Sequence, residues 1–240
     1  MKRLGKAAIP LLSLFTAATL NAASSTVSVP NSSAGFQGFM NVFDIPQNAS
    51  LPPYPGNLGP YQFGSSWGTP DLTATFAAGV LNLGPNTIGD PATYWYIGGG
   101  GPGAVGNKIM DANFYNETTG VFTGQTLTFQ GTVLANTLVG HVNALGNGWT
   151  AVAFIKDFAP DYSSSVSATV PLTPGSFSVN LNLINDPNRH VQYGFEVIGS
   201  DVWATDVAQF GNIQVVPEPS CIALLGLGCV GAFFAARRRK

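Results

Sequence analysis

Between residues 90 and 216 the chain alternates apolar and polar residues in one short stretch after another, each closed by Gly, Pro or Asn. A period of two sends successive side chains to opposite faces of a strand, so each stretch reads as a β-strand with one buried face. The stretches are 93–97, 108–118, 125–134, 150–158, 165–171, 176–184, 191–198 and 209–215. In the clearest of them, Phe177-Ser178-Val179-Asn180-Leu181-Asn182-Leu183, every apolar side chain points one way and every polar one the other. No helix-period segment of ten or more residues lies between the stretches, and the crossovers of a parallel α/β sheet need such segments. The pattern predicts an all-β domain over residues 91–216, an antiparallel β-sandwich of jelly-roll type.

Residues 24–90 read differently. Pro46, Pro52, Pro53, Pro55, Pro60 and Pro70 interrupt any long element, so an irregular, surface-lying segment with a few short strands is expected there. Tyr54, Tyr61, Phe63 and Trp67 give it rings with which to dock on the core.

The two ends carry the signals of an exported protein. Lys2, Arg3 and Lys6 precede an apolar run from Ala7 to Leu20, and Ala22 and Ala23 offer a cleavage site, so residues 1–23 are expected to be a helical signal peptide. At the other end Pro217-Glu218-Pro219 is followed by the uncharged run 221–236 and then by Arg237, Arg238, Arg239 and Lys240. Sixteen residues at helical rise cover about 24 Å, which suffices for one transmembrane helix once edge residues snorkel. The basic cluster holds its end in the cytoplasm and leaves the body outside.

These three parts in this order resemble the PEP-CTERM sorting signal of Gram-negative bacteria, over about the last 25 residues. The resemblance implies recognition and cutting near Pro217-Glu218-Pro219 by a membrane exosortase. It also implies an inner-membrane precursor, a mature form at the cell surface or in the extracellular matrix, and an association with exopolysaccharide and biofilm.

Composition narrows the partners of the body. Residues 24–216 hold Lys108, Lys156 and Arg189 against eleven acids, a formal charge of −8, so nucleic acid and anionic membrane surfaces are unsuitable partners. The same stretch has no cysteine, so its stability rests on a packed core without disulfides. Ser, Thr, Asn and Gln fill the polar positions, a composition that favours strands and turns.

Two motifs match catalytic patterns in letters and fail in context. Gly101-Pro102-Gly103-Ala104-Val105-Gly106 is followed by a strand where a dinucleotide site needs a helix N-terminus. Gly64-Ser65-Ser66-Trp67-Gly68 lies in proline-rich sequence without the helix that a nucleophile elbow requires. His141 and His190 have no cysteine partner in the body, and Glu117 and Glu196 are its only glutamates, the pair a glycoside hydrolase would have to bring into one cleft.

The remaining candidates are binding residues, and no catalytic residue or cofactor is expected beyond structural calcium. Asp111, Glu117, Asp157 and Asp161 could offer oxygen ligands to such an ion, beside the alternative that they are solvated acids at turns and strand ends. Trp95, Tyr115, Trp149 and Trp203 could stack on sugar rings, beside the alternative that they are core. The last hundred residues are similar in strand order and texture to the galactose-binding-like jelly rolls of carbohydrate-binding modules, a likeness that implies glycan binding. Three readings follow: a non-enzymatic protein associated with exopolysaccharide, an adhesive module for protein partners, and a glycan-acting enzyme. Exposed aromatic platforms, a broad apolar patch, or a cleft with two close carboxylates would respectively mark them.

Overall fold

The computed structural model describes residues 23–46, 58–138 and 148–218. The expected signal helix, the transmembrane run 221–236, Pro219, the basic cluster 237–240 and His141 lie outside the described residues. Among the described residues no helix is long and apolar enough to cross a membrane, and the single helical element is a 3-10 turn at Val207–Phe210.

Fourteen strands follow one another: β1 Ser24–Ser28, β2 Phe36–Asp44, β3 Tyr61–Trp67, β4 Ala74–Ala77, β5 Val80–Leu83, β6 Tyr96–Ile97, β7 Val105–Gly106, β8 Lys108–Thr119, β9 Thr126–Asn136, β10 Thr150–Phe158, β11 Ser165–Pro171, β12 Gly175–Asn182, β13 His190–Ser200 and β14 Ile213–Val216. They build two six-stranded sheets and a small β6–β7 ribbon. In the first sheet β9 is the hub: β12 pairs along one edge, while β1 and β14 share the other, and β5 and β4 extend the sheet beyond β14. In the second sheet the order is β11-β10-β13-β8-β2-β3, antiparallel throughout. The first sheet is antiparallel except where β1 runs parallel to β9.

The eight stretches expected from alternation all contain strands, and the 177–183 pattern is realised on β12, where Phe177 and Val179 are buried while Ser178 and Asn180 are exposed. Residues 24–90 depart from the irregular segment expected. They supply β1, β2, β3, β4 and β5, of which β2 is an interior strand of the second sheet with Met40 and Val42 fully buried. The four-residue strands β4 and β5 carry too few alternations to read locally, and the place of these strands is fixed by pairing with their neighbours.

The inner faces of the two sheets share one core. Phe129 on β9 meets Phe195 on β13 edge-on at 5.3 Å, and Phe177 on β12 meets the same ring at 6.1 Å. Leu127, Val133, Ile213 and Val215 from one sheet and Met110, Phe114, Ala153 and Ile155 from the other complete it. Burying such side chains is the main favourable term in the absence of disulfides, about 1.5–3 kcal/mol for each. A buried ion pair closes one end. Asp157 occupies an inward position of β10, and its carboxylate accepts hydrogen bonds from Arg189 Nε at 2.8 Å and from the Ile184 backbone N–H at 2.9 Å.

The outer face of the first sheet is a charge-free ladder. Thr126 and Thr128 on β9 donate to Asn182 and Asn180 on β12. The opposite outer face, on the second sheet, is different in kind, and it carries an array of charged and aromatic side chains that line a groove.

Candidate functional site

Antiparallel register stacks the outward side chains of the second sheet into rows. One row runs Ser66, Phe39, Asn113, Glu196 across β3, β2, β8 and β13. The next runs Gln37, Tyr115, Gly194, Phe154 from β2 to β10. A third runs Glu117, Gln192, Lys156, and a fourth Thr119, His190, Phe158. Ser66, Phe39, Asn113, Gln37, Tyr115, Glu117, Gln192, Lys156 and Phe158 of these rows, with Asn41 and with Tyr162 from the loop between β10 and β11, line a groove of about 490 Å³. It crosses five strands, so at ~4.8 Å per strand its length is roughly 19 Å, enough for a short oligomer.

Beneath the groove Gly194 lies in register between Tyr115 and Phe154. A Cβ there would sit 2.1 Å from the Phe114 carbonyl oxygen and 2.6 Å from Tyr115 Cα, so no other residue fits this register. Tyr115 and Phe154, with centroids 6.5 Å apart, are the aromatic neighbours of the bare position. Both are buried, and burial raises the Tyr115 hydroxyl pKa above its ordinary value.

At one end of the groove polar groups are locked together. Lys156 donates to Glu196 at 2.6 Å and to Asn113 at 2.7 Å, and its ammonium stands 4.2 Å from the centre of the Phe154 ring. Asn113 in turn donates to Asp111 at 2.7 Å, and Asn41 donates to the other Asp111 oxygen at 3.1 Å. Burial, then the negative charge of Glu196, lifts the Asp111 carboxyl from 3.8 to about 6, against the pull of Lys156 and the two amides.

At the other end Glu117 organises an aromatic wall. Its two oxygens accept hydrogen bonds from the Tyr162 hydroxyl at 2.9 Å and from Gln192 Nε2 at 2.6 Å. The Tyr162 ring lies parallel to His190, centroids 4.5 Å apart at 10°, with 48% of the residue exposed. Burial and the bond to Glu117 push its hydroxyl up to about 12, so it remains a donor across the physiological range. Tyr162 has φ +57°, a left-handed conformation that bulky residues seldom adopt and that concentrates at functional sites. His190 is pinned as well. Its Nε2 approaches the Pro160 carbonyl at 3.3 Å, and a carbonyl can only accept, so Nε2 donates there, while Nδ1 lies 2.9 Å from Thr119 Oγ1 and 3.8 Å from Glu117 Oε1.

Of the four candidate stacking rings, only Tyr115 lines this groove, as part of its floor. Trp149 donates from its indole to the Ser200 carbonyl and packs over Gly199, where a Cβ would fall 1.8 Å from its ring. Trp203 packs edge-on against Tyr96 at 5.5 Å, and Trp95 lies against Phe63 and Tyr94. These three tryptophans are partly buried against the core.

The four candidate calcium ligands are not brought into one ligand set. Asp111 and Glu117 share a face of β8 but stand six residues apart, about 20 Å along the strand. Asp157 faces the opposite, inner side and is paired with Arg189, and Asp161 accepts hydrogen bonds from Ser163 in the loop, which hold its pKa low. Among the described residues no group of three or more His, Cys, Asp or Glu could hold a metal ion. Glu117 and Glu196 are four residues out of register on adjacent strands, their backbones roughly 13 Å apart, and their carboxylates are held by different partners, Tyr162 and Gln192 for one and Lys156 for the other.

The remaining motifs resolve simply. Ser66 of Gly64-Ser65-Ser66-Trp67-Gly68 lies within strand β3 and lines the groove, with turns and no helix after it, and Gly101–Gly106 leads through a turn into β7 and β8. Phe39, Phe158, Gln37 and Tyr162 of the groove were not singled out by sequence. Tyr162 carried one legible signal, a large aromatic just after Pro160-Asp161 where a turn residue is expected.

Residues 215–240 match the family model described as the PEP-CTERM protein-sorting motif. No curated protein and no solved structure matches the chain, so the likeness of the body to galactose-binding-like modules finds no support. The sorting motif implies an exported, cell-surface protein handled by an exosortase.

Proposed function

We propose that this exosortase-sorted surface protein is a non-enzymatic component of the extracellular matrix whose sandwich holds polysaccharide in the groove of its second sheet. The motif supplies the address, and the groove supports the ligand class. The observation that carries the reading is Tyr162, a half-exposed ring held in a strained backbone conformation, backed by His190 and tied to Glu117 at the groove wall. A ring fixed in this way costs little entropy on binding and offers an open apolar surface to the C–H face of a sugar. The amides of Gln37, Asn113 and Gln192 and the Glu117 carboxylate, which line the same groove, are suited to bonding hydroxyl groups.

In this reading the tail is cut near Pro217-Glu218-Pro219 and the released or surface-held body remains with the exopolysaccharide. The adhesive alternative needs a broad apolar face. The exposed large aliphatic residues Ile97, Val121, Leu134, Val166 and Ile184 lie on β6, β9, β11 and separate loops, which favours the glycan reading.

The test is affinity electrophoresis of the full-length chain in detergent through gels containing the host's own exopolysaccharide. Tyr162→Asn, which keeps the left-handed backbone accessible while removing the ring, is expected to weaken retardation about tenfold. Tyr94→Ala, a change at an exposed ring away from the groove, is expected to leave it unchanged. Equal retardation of wild type and Tyr162→Asn would remove the groove from the reading.

A further inference from the structure

We infer that the groove takes sugars carrying no negative charge, neutral or amino-substituted, and turns acidic glycans away; this rests on the polysaccharide reading above. The body has three basic residues, and every one is already in an ion pair. Lys108 holds Asp44 at 2.9 Å, Lys156 holds Glu196 at 2.6 Å, and Arg189 holds Asp157 at 2.8 Å. Arg189 serves the inner side of β10, and Lys108 stands 4.2 Å from the centre of the Tyr94 ring, away from the groove. Lys156 is therefore the one Lys or Arg among the groove-lining residues, and Glu196, Asn113 and the Phe154 ring already surround its ammonium.

A carboxylated or sulfated sugar entering this groove would give up its hydration without gaining a cation. It would also approach Glu117, whose two oxygens accept from the neutral donors Tyr162 and Gln192, with His190 Nδ1 3.8 Å away. Desolvating an unpaired anion beside a like charge is unfavourable on both counts. A hydroxyl or an ammonium meets the opposite situation. Each Glu117 oxygen uses one acceptor position on its internal partner and retains a second lone pair for a donor from the ligand.

The experiment is affinity electrophoresis of the full-length chain in detergent against galactomannan, chito-oligosaccharide immobilised in the gel, and polygalacturonate. All runs contain EDTA, so that no divalent ion bridges the acidic surface to an acidic polymer. Galactomannan or the chito-oligosaccharide is expected to retard the wild type in a Tyr162-dependent manner, and polygalacturonate is expected to have no effect. Gln37→Lys, which places a new cation on the groove wall, is expected to gain about fivefold retardation by polygalacturonate that fades at high salt. Tyr162-dependent binding of polygalacturonate by the wild type would overturn the charge inference and leave the polysaccharide reading standing. Retardation by none of the three polymers or by the host's exopolysaccharide would overturn both.

Discussion

Replacing Pro217, Glu218 and Pro219 together by alanine is expected to leave the chain uncut in its native host, with Lys240 still present in the recovered protein. The wild type, by contrast, is expected to yield a product beginning near Ser24 and ending near Pro219. Intact-mass measurement of both proteins decides the matter. The effect is all-or-none because the motif acts as a recognition element, and residues 215–240 match a sorting signal. A wild-type product that retains Lys240 would mean that the tail serves as an anchor alone, and the matrix reading would lose its support.

Asp201→Asn is expected to stabilise the protein by a few kcal/mol at pH 8 and by little at pH 4. Asp201 is fully buried; one carboxyl oxygen accepts from the Lys108 backbone N–H at 3.1 Å, and the other has no protein partner. Burial raises its pKa from 3.8 to about 7, so the folded protein holds this proton more tightly than the unfolded chain does. The sign follows directly. Stability contributed by the protonated group is whole below about pH 4, drains away as the pH climbs towards 7, and is gone above that. A three-unit shift corresponds to at most about 4 kcal/mol, and asparagine, which cannot ionise, escapes the loss while keeping the acceptor oxygen. Urea denaturation at the two pH values measures it, and an equal effect at both would show that Asp201 does not titrate in this way.

The long strands were legible because twelve-residue β8 and eleven-residue β9 and β13 repeat the two-residue period many times, and every repeat votes for the same face. The strands before residue 90 were not legible: β4 and β5 are four residues each, paired to one another and through β5 to β14, and nine-residue β2 carries Phe39 and Phe43 in the phase opposite to the buried Met40 and Val42, which blurs its alternation. The groove was hidden for a related reason. Its side chains are drawn from residues 37 to 192, and only register places Gln37 beside Tyr115 or Lys156 beside Gln192. Sequence alone carries the alternation of a strand but not its neighbour. Asp157 could have been found: it shares its phase with the buried Ile155, and a carboxylate at an inward position demands a buried cation, for which Arg189 was one of three choices.

β14 ends at Val216, still paired to Thr132, and the sorting tripeptide begins at the very next residue. The body is thus tethered without slack. If the cut falls near Pro217-Glu218-Pro219, as proposed, the processing enzyme must work within a residue or two of a hydrogen-bonded strand, so it must either accommodate the folded body against its own surface or act while the last pairs of β14 are frayed. The same short tether fixes presentation: the tail departs from the first sheet, whereas the groove opens on the far side of the second, two layers of strand away from the point of attachment.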